Sequence, residues 1–162
     1  FFYGYLITQI PGGWMASKFG GKWVFGLGVL TTAVLTLVTP VVAKYEWLFL
    51  LVRVVEGLGE AVTFPAMHAV VARWAPPLER SKLATLTYSG AYMGTVVSFP
   101  LSGYLCKTSL WGGWPSVFYV IGIYGVVWFF FWVALATNSP EEDRFISSTE
   151  REYITTAIAN DK

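Results

Sequence analysis

The stretch that decides the fold runs from Trp47 to Lys82: WLFLLVRVVEGLGEAVTFPAMHAVVARWAPPLERSK. Most of it is as apolar as a bilayer core, yet Arg53, Glu56, Glu60 and His68 sit inside it and charges crowd its far end. At about 100° per residue, Glu56 and Glu60 lie about 60° and 20° to one side of Arg53, and His68 about 60° to the other. A continuous helix therefore carries all four on one face. An ionised group near mid-membrane costs on the order of 3 kcal/mol, so that face must look onto protein or water. Arg53 and Glu56 are spaced i, i+3 and can neutralise each other, whereas Glu60, about 10 Å further along the axis, is harder for Arg53 to reach. Ionisable residues so placed mark transport pathways. Gly57 and Gly59 loosen the helix where it must flex or approach a neighbour. His68, near the far end, fits a gating role or a core histidine bonded to a carbonyl.

The composition agrees with a membrane setting. The 162 residues are 55% hydrophobic, 18% aromatic and only 13% charged, with a mean hydropathy of +0.55, far from soluble domains. The basic residues are dispersed and form no stripe with exposed aromatics, which sets nucleic acid aside as a partner. One cysteine, Cys106, and one histidine leave too few ligands for a metal site of the usual kind. No cofactor is expected. Ser81 and Ser89 lack a base at an evident spacing, which argues against an enzyme.

Apolar runs near the roughly 20-residue membrane length predict an all-α membrane protein with spans at about 1–16, 23–43, 47–74, 82–106 and 115–137, followed by a polar tail, 138–162. The first and third breaks carry Lys18, Lys22, Arg73, Arg80 and Lys82, while the second and fourth carry Lys44 and Lys107 alone. The positive-inside rule puts the first and third breaks in the cytosol, together with the tail and its Arg144, Arg151 and Lys162. In the tail, Ser147 and Glu150 predict a capping box before a short amphipathic helix bearing Ile154 and Ile158. Gly90, Gly94, Ser98 and Ser102 form a small-residue stripe suited to close helix packing. Pro11, Pro65 and Pro100 each free a carbonyl that protein or cavity water must satisfy. PGGWMASKFGGKW (11–23) and PLSGYLCKTSLWGGW (100–114) share a proline, a lysine seven residues on and a Gly-Gly-containing end, as an inverted repeat would. The chain opens in mid-hydrophobic run and reads as a fragment.

The segments GYLITQIPGGWMASKFGGK, VEGLGEAVTFPAMHAVVARWAPPLERSK, GTVVSFPLSG and GGWPSVFYVIG resemble the anion:cation symporters of the major facilitator superfamily, which comprise sialin, the vesicular glutamate transporters and the sodium-phosphate-type anion transporters. They are most similar to the sialin type. The resemblance implies helices two to six of the N-terminal six-helix half plus the start of a central cytosolic loop, with the first helix and the C-terminal half lying elsewhere in the same protein. It implies that Arg53 engages the anion, that Glu60 and Glu56 carry a proton, and that His68 matches the histidine after the FPAM segment. Gly13, Lys18, Gly20 and Lys22 match the superfamily's cytosolic loop motif, although Ser17 stands where that motif has an acid.

The expected function is proton-coupled symport of a small organic anion, sialic acid or another acidic sugar or carboxylate, in a lysosomal, vesicular or plasma membrane. Sodium- or potential-driven transport of glutamate or phosphate is the alternative within the family. A membrane receptor or scaffold on the same fold is the alternative outside it, and would tolerate loss of Glu60.

Overall fold

The computed structural model describes residues 1–108 and 110–160; Ser109 of the fourth break and Lys162 of the tail lie outside the described residues. The chain forms α1 (Phe2–Phe19), α2 (Gly21–Val42), α3 (Glu46–Ala61), α4 (Thr63–Trp74), α5 (Arg80–Lys107), a 3-10 turn (Leu110–Gly112), α6 (Pro115–Leu135) and α7 (Ser148–Ala159), with no strand among the described residues. Proline sets two of these boundaries. Ala75, ahead of Pro76, is extended at φ −100° and ψ 126°, as the proline ring demands of its predecessor, so α4 stops there. Pro115 opens α6, where its missing N–H costs nothing.

The single helix expected over 47–74 is two helices meeting at Val62. Pro65 has no N–H to give the Ala61 carbonyl, and its ring would crowd that oxygen, so the ladder breaks one turn upstream. Local bonds repair the break: the Thr63 hydroxyl donates to the Glu60 carbonyl at 2.7 Å, and the Ala66 N–H donates to Val62 at 3.0 Å. Pro11 and Pro100 lie inside α1 and α5, which continue through them.

Helix α2 packs on α3, α4 and α6, and α1 packs on α3 and α4, while α5 makes its main contacts with α4 and α6. The small buried core is Ala16, Val24, Val62 and Ala66. Large apolar side chains point outward instead, with Ile10 87% and Trp47 85% exposed. That inversion suits a hydrocarbon surround, where backbone groups must be satisfied inside helices and apolar side chains face lipid. Two helices, Gly21–Val42 and Pro115–Leu135, are long and apolar enough to cross a membrane on length and hydropathy alone. The other predicted spans coincide with α1, the broken α3–α4 pair and α5, which are shorter, interrupted or more polar.

Close helix contacts fall elsewhere than the sequence suggests. Around Gly90 and Gly94 on α5 an added Cβ would meet nothing within 4 Å, so these two glycines of the stripe make no close helix approach. Close approaches occur on other helices, for example at Gly57, whose Cβ would strike the Phe1 carbonyl at the start of α1, and at Gly28, whose Cβ would lie 2.8 Å from the Gly59 oxygen. Spacing along one helix marks a small-residue face, whereas approach depends on which helix lies opposite.

Gly20 alone separates α1 from α2. Its φ of 92° is in the left-handed region, and an added Cβ would lie 2.5 Å from Asn138 Oδ1. Gly13 is helical and looser, with Pro65 Cβ 3.6 Å from where its Cβ would be. Gly20→Ala is therefore expected to destabilise the full-length protein by about 1–3 kcal/mol, and Gly13→Ala to be neutral or slightly stabilising. Melting of the purified variants in detergent checks this; equal melting temperatures would remove the requirement for glycine at position 20.

Candidate functional site

Between α2, α3, α4, α5 and α6 lies an open cavity of about 710 Å³ whose walls include Glu56, Glu60, Thr36, Tyr88 and Tyr124. The sequence puts threonines one helical turn apart on α2, at Thr32 and Thr36, and both reach it. The rest of the wall is mostly apolar, with Phe25, Phe64 and Trp128 supplying rings. A cavity that combines an apolar body with a few polar groups is suited to a small organic ligand.

Glu56 is 5% exposed and bound through both oxygens. Oε2 accepts from Arg53 Nη1 at 2.6 Å and Oε1 accepts from the Thr36 hydroxyl at 2.7 Å. The Arg53 guanidinium also lies 5.2 Å from the centre of the Phe49 ring and 5.7 Å from that of Phe118. Charge, hydrogen bond and ring quadrupoles hold the planar fork in one orientation. Glu60 differs from Glu56 in kind: it is exposed to the cavity and makes no hydrogen bond or ion pair with any described residue.

The four ionisable residues expected on one face thus divide. Glu56 and Glu60 line the cavity, and Arg53 reaches it through Glu56. His68 turns toward α5, where Nε2 is 2.8 Å from the Tyr88 hydroxyl. The break at Val62 ends the continuous helix on which the single face was drawn. His68 is bonded to a side chain, not to the carbonyl considered from sequence, and Tyr88 stacks on Phe64 with ring centres 5.9 Å apart.

The loop-motif residues lie at the opposite end of α2 from the Lys44–Glu46 turn. Lys22 Nζ donates to the Val133 carbonyl near the end of α6 at 3.0 Å, and Lys18 lies over the Trp14 ring. Arg73 donates to the Ser17 carbonyl at 3.3 Å, and Trp74 Nε1 to the Thr137 carbonyl at 3.2 Å. The C-terminal ends of α1, α4 and α6 and the start of α2 are thereby stitched together. Asp143 organises the loop that follows: Oδ1 accepts from the N–H groups of Phe145 and Ile146, and Oδ2 from the Thr137 hydroxyl. The Phe145 N–H above all, then the Thr137 hydroxyl, holds its carboxyl below the usual aspartate range. Helix α7 follows Ser147, but the capping box expected of Ser147 and Glu150 is not made, since Ser147 forms no side-chain cap bond. Asp143 and the Arg151 side chain, which donates to the Asp143 carbonyl at 2.7 Å, set the entry into α7 upstream of that position.

Sequence reasoning missed Thr36, Phe49, Phe118 and Tyr88. The i, i+4 pair of threonines inside the apolar α2 was a signal for the first. For the rings no signal existed, because aromatic residues fill every span.

Helices with apolar exteriors gathered around a charged cavity define part of an all-α transporter half. The chain belongs to the Major Facilitator Superfamily, whose family model matches residues 1–160. Sialin of Homo sapiens is 53% identical over 161 residues, which is 99% of this chain and 32% of that protein. Sialin of Ovis aries is 50% identical over the same shares. Vesicular glutamate transporter 3 of Danio rerio is 46% identical over 98% of this chain and 26% of that protein. The chain thus spans about a third or less of the length of the curated relatives it matches.

Proposed function

We propose that this chain is part of a proton-coupled symporter for small organic anions, in which Arg53 attracts the anion and Glu60 and Glu56 take up the proton. The observation that carries the reading is the contrast between two carboxylates one helical turn apart: Glu56 tied to Arg53 and Thr36, and Glu60 facing the cavity without a partner. With both carboxylates ionised, Arg53, Glu56 and Glu60 together carry one net negative charge, which repels an anion. Uptake of one proton makes the group neutral, and of two makes it positive. Proton and anion binding are therefore linked, each raising the affinity for the other. The relatives' names support an anion substrate, since glutamate is one. The setting is an acidified vesicular or lysosomal compartment or the plasma membrane, with no enzymatic step and no cofactor.

Uptake of labelled sialic acid, glutamate and phosphate into proteoliposomes containing the full-length protein, with and without a pH gradient, tests the reading. Accumulation of sialic acid or glutamate driven by the pH gradient is expected. Uptake of phosphate or glutamate that follows sodium or membrane potential and ignores the pH gradient would replace proton coupling with the alternative ion. No uptake of any anion would favour a receptor or scaffold.

The five-span arrangement makes its own prediction. Cysteines placed at the exposed positions Lys18 and Lys44, in a background with Cys106 replaced by serine, are expected to react with a membrane-impermeant thiol reagent from opposite sides. Labelling of both from one side would overturn the arrangement.

A further inference from the structure

We infer that Thr36 is a positioning residue whose single hydroxyl hydrogen alternates between the Glu56 carboxylate and the Thr32 carbonyl, so that Glu56 stays fully hydrogen-bonded with or without a proton. This deepens the proton-coupling reading above and rests on it. Thr36 Oγ1 lies 2.7 Å from Glu56 Oε1 and also 2.7 Å from the Thr32 carbonyl oxygen. A hydroxyl has one hydrogen and two lone pairs, so it cannot donate to both acceptors at once. While Glu56 is ionised the hydrogen goes to the charged oxygen, because a bond to an ion is about twice as strong as one to a neutral carbonyl. The Thr32 carbonyl loses little, since the helix already supplies it with a backbone N–H.

When Oε1 takes up a proton from the cavity, the roles reverse. The new O–H of Glu56 donates to Thr36 Oγ1, and the threonine hydrogen swings to the Thr32 carbonyl. No heavy atom moves, and Oε2 keeps its bond to Arg53. A carboxyl 5% exposed whose only neighbour was a fixed donor would be left with an O–H facing another hydrogen on protonation. An unsatisfied buried group of that kind loses its hydration without a compensating bond, which disfavours the protonated state. Thr36 removes this cost from both states, which a residue cycling between them requires.

The other titratable groups around Glu56 are few. Arg53 and Glu60 share its helix, Tyr88 of α5 and Tyr124 of α6 share its cavity, and His68 of α4 is bonded to Tyr88. Helix α1 adds Tyr3, Tyr5 and Lys18, and α2 adds only Lys22, which is occupied at the Val133 carbonyl. Thr36 is thus the neutral partner through which α2 reaches the carboxylate.

The test compares Thr36→Val, Thr36→Ala and Thr36→Ser in the full-length protein. Its primary readout is melting temperature against pH in detergent, which needs no substrate. Valine and alanine remove the donor, penalising the ionised form more than the protonated one. The corresponding inflection is expected to move to higher pH by about one unit. Serine keeps the hydroxyl and is expected to leave the inflection in place. In a Glu56→Gln background the valine and serine profiles should coincide. The pH profile of sialic acid or glutamate uptake into proteoliposomes should shift in the same order. An inflection that does not move in either hydroxyl-free variant, or that moves equally in the serine variant, overturns the inference. If Thr36→Val does not fold, the alanine and serine pair decides it. Failure of proton coupling itself shows separately, as wild-type uptake indifferent to the pH gradient.

Discussion

Replacing Glu60 by glutamine in the full-length protein is expected to abolish anion accumulation driven by a pH gradient while anion exchange between two loaded compartments persists. Glutamine keeps the size and much of the hydrogen-bonding capacity of glutamate but cannot bind and release a proton. One co-transported proton supports about tenfold accumulation per pH unit of gradient, so the loss should be about tenfold for each unit imposed. Glu60 is suited to this substitution because no described residue bonds its carboxylate, so little packing is disturbed. Both assays belong on one preparation. Accumulation that survives would leave Glu56, tied to Arg53 and Thr36, as the proton site by itself. Accumulation and exchange falling together, with the protein folded, would make Glu60 a binding or packing residue.

Arg53→Lys is expected to lower anion uptake by about 10- to 100-fold with expression near that of the wild type. Lysine keeps the charge and can still pair with Glu56, which protects the fold. It loses the planar fork that matches a carboxylate and the flat surface now lying against Phe49 and Phe118. Loss of one hydrogen bond to a charged group is worth about 1.5–3 kcal/mol, which gives the quoted range. The defect should appear in both exchange and accumulation, unlike that of Glu60→Gln. Unchanged uptake across substrate concentrations would remove Arg53 from the site.

Much of this was written along the chain. The long apolar runs, the single glycine between α1 and α2 and the prolines at Pro76 and Pro115 are local instructions, and the helices obey them. The Arg53–Glu56 pair is local too, because an i, i+3 spacing brings the groups together on any helix. Membership of the superfamily was legible in short segments for the same reason: residue types at fixed spacing survive without knowledge of the fold.

What the sequence left open were relations between helices. Spacing put Arg53, Glu56, Glu60 and His68 on one face, but only the tertiary arrangement, broken at Val62, divides them between the cavity, the Phe49 and Phe118 rings and Tyr88. The stripe from Gly90 to Ser102 was as good a packing signal as any, yet Gly90 and Gly94 meet nothing close, while glycines such as Gly28 and Gly57 do. The partner of Glu56 came from Thr36, 20 residues earlier and on another helix. Periodicity along one helix fixes direction in an isolated cylinder; what lies in that direction depends on how the cylinders are arranged. The sequence by itself determined that charge would be carried into an apolar bundle, and the tertiary structure decided which carboxylate was tied and which was left facing the cavity.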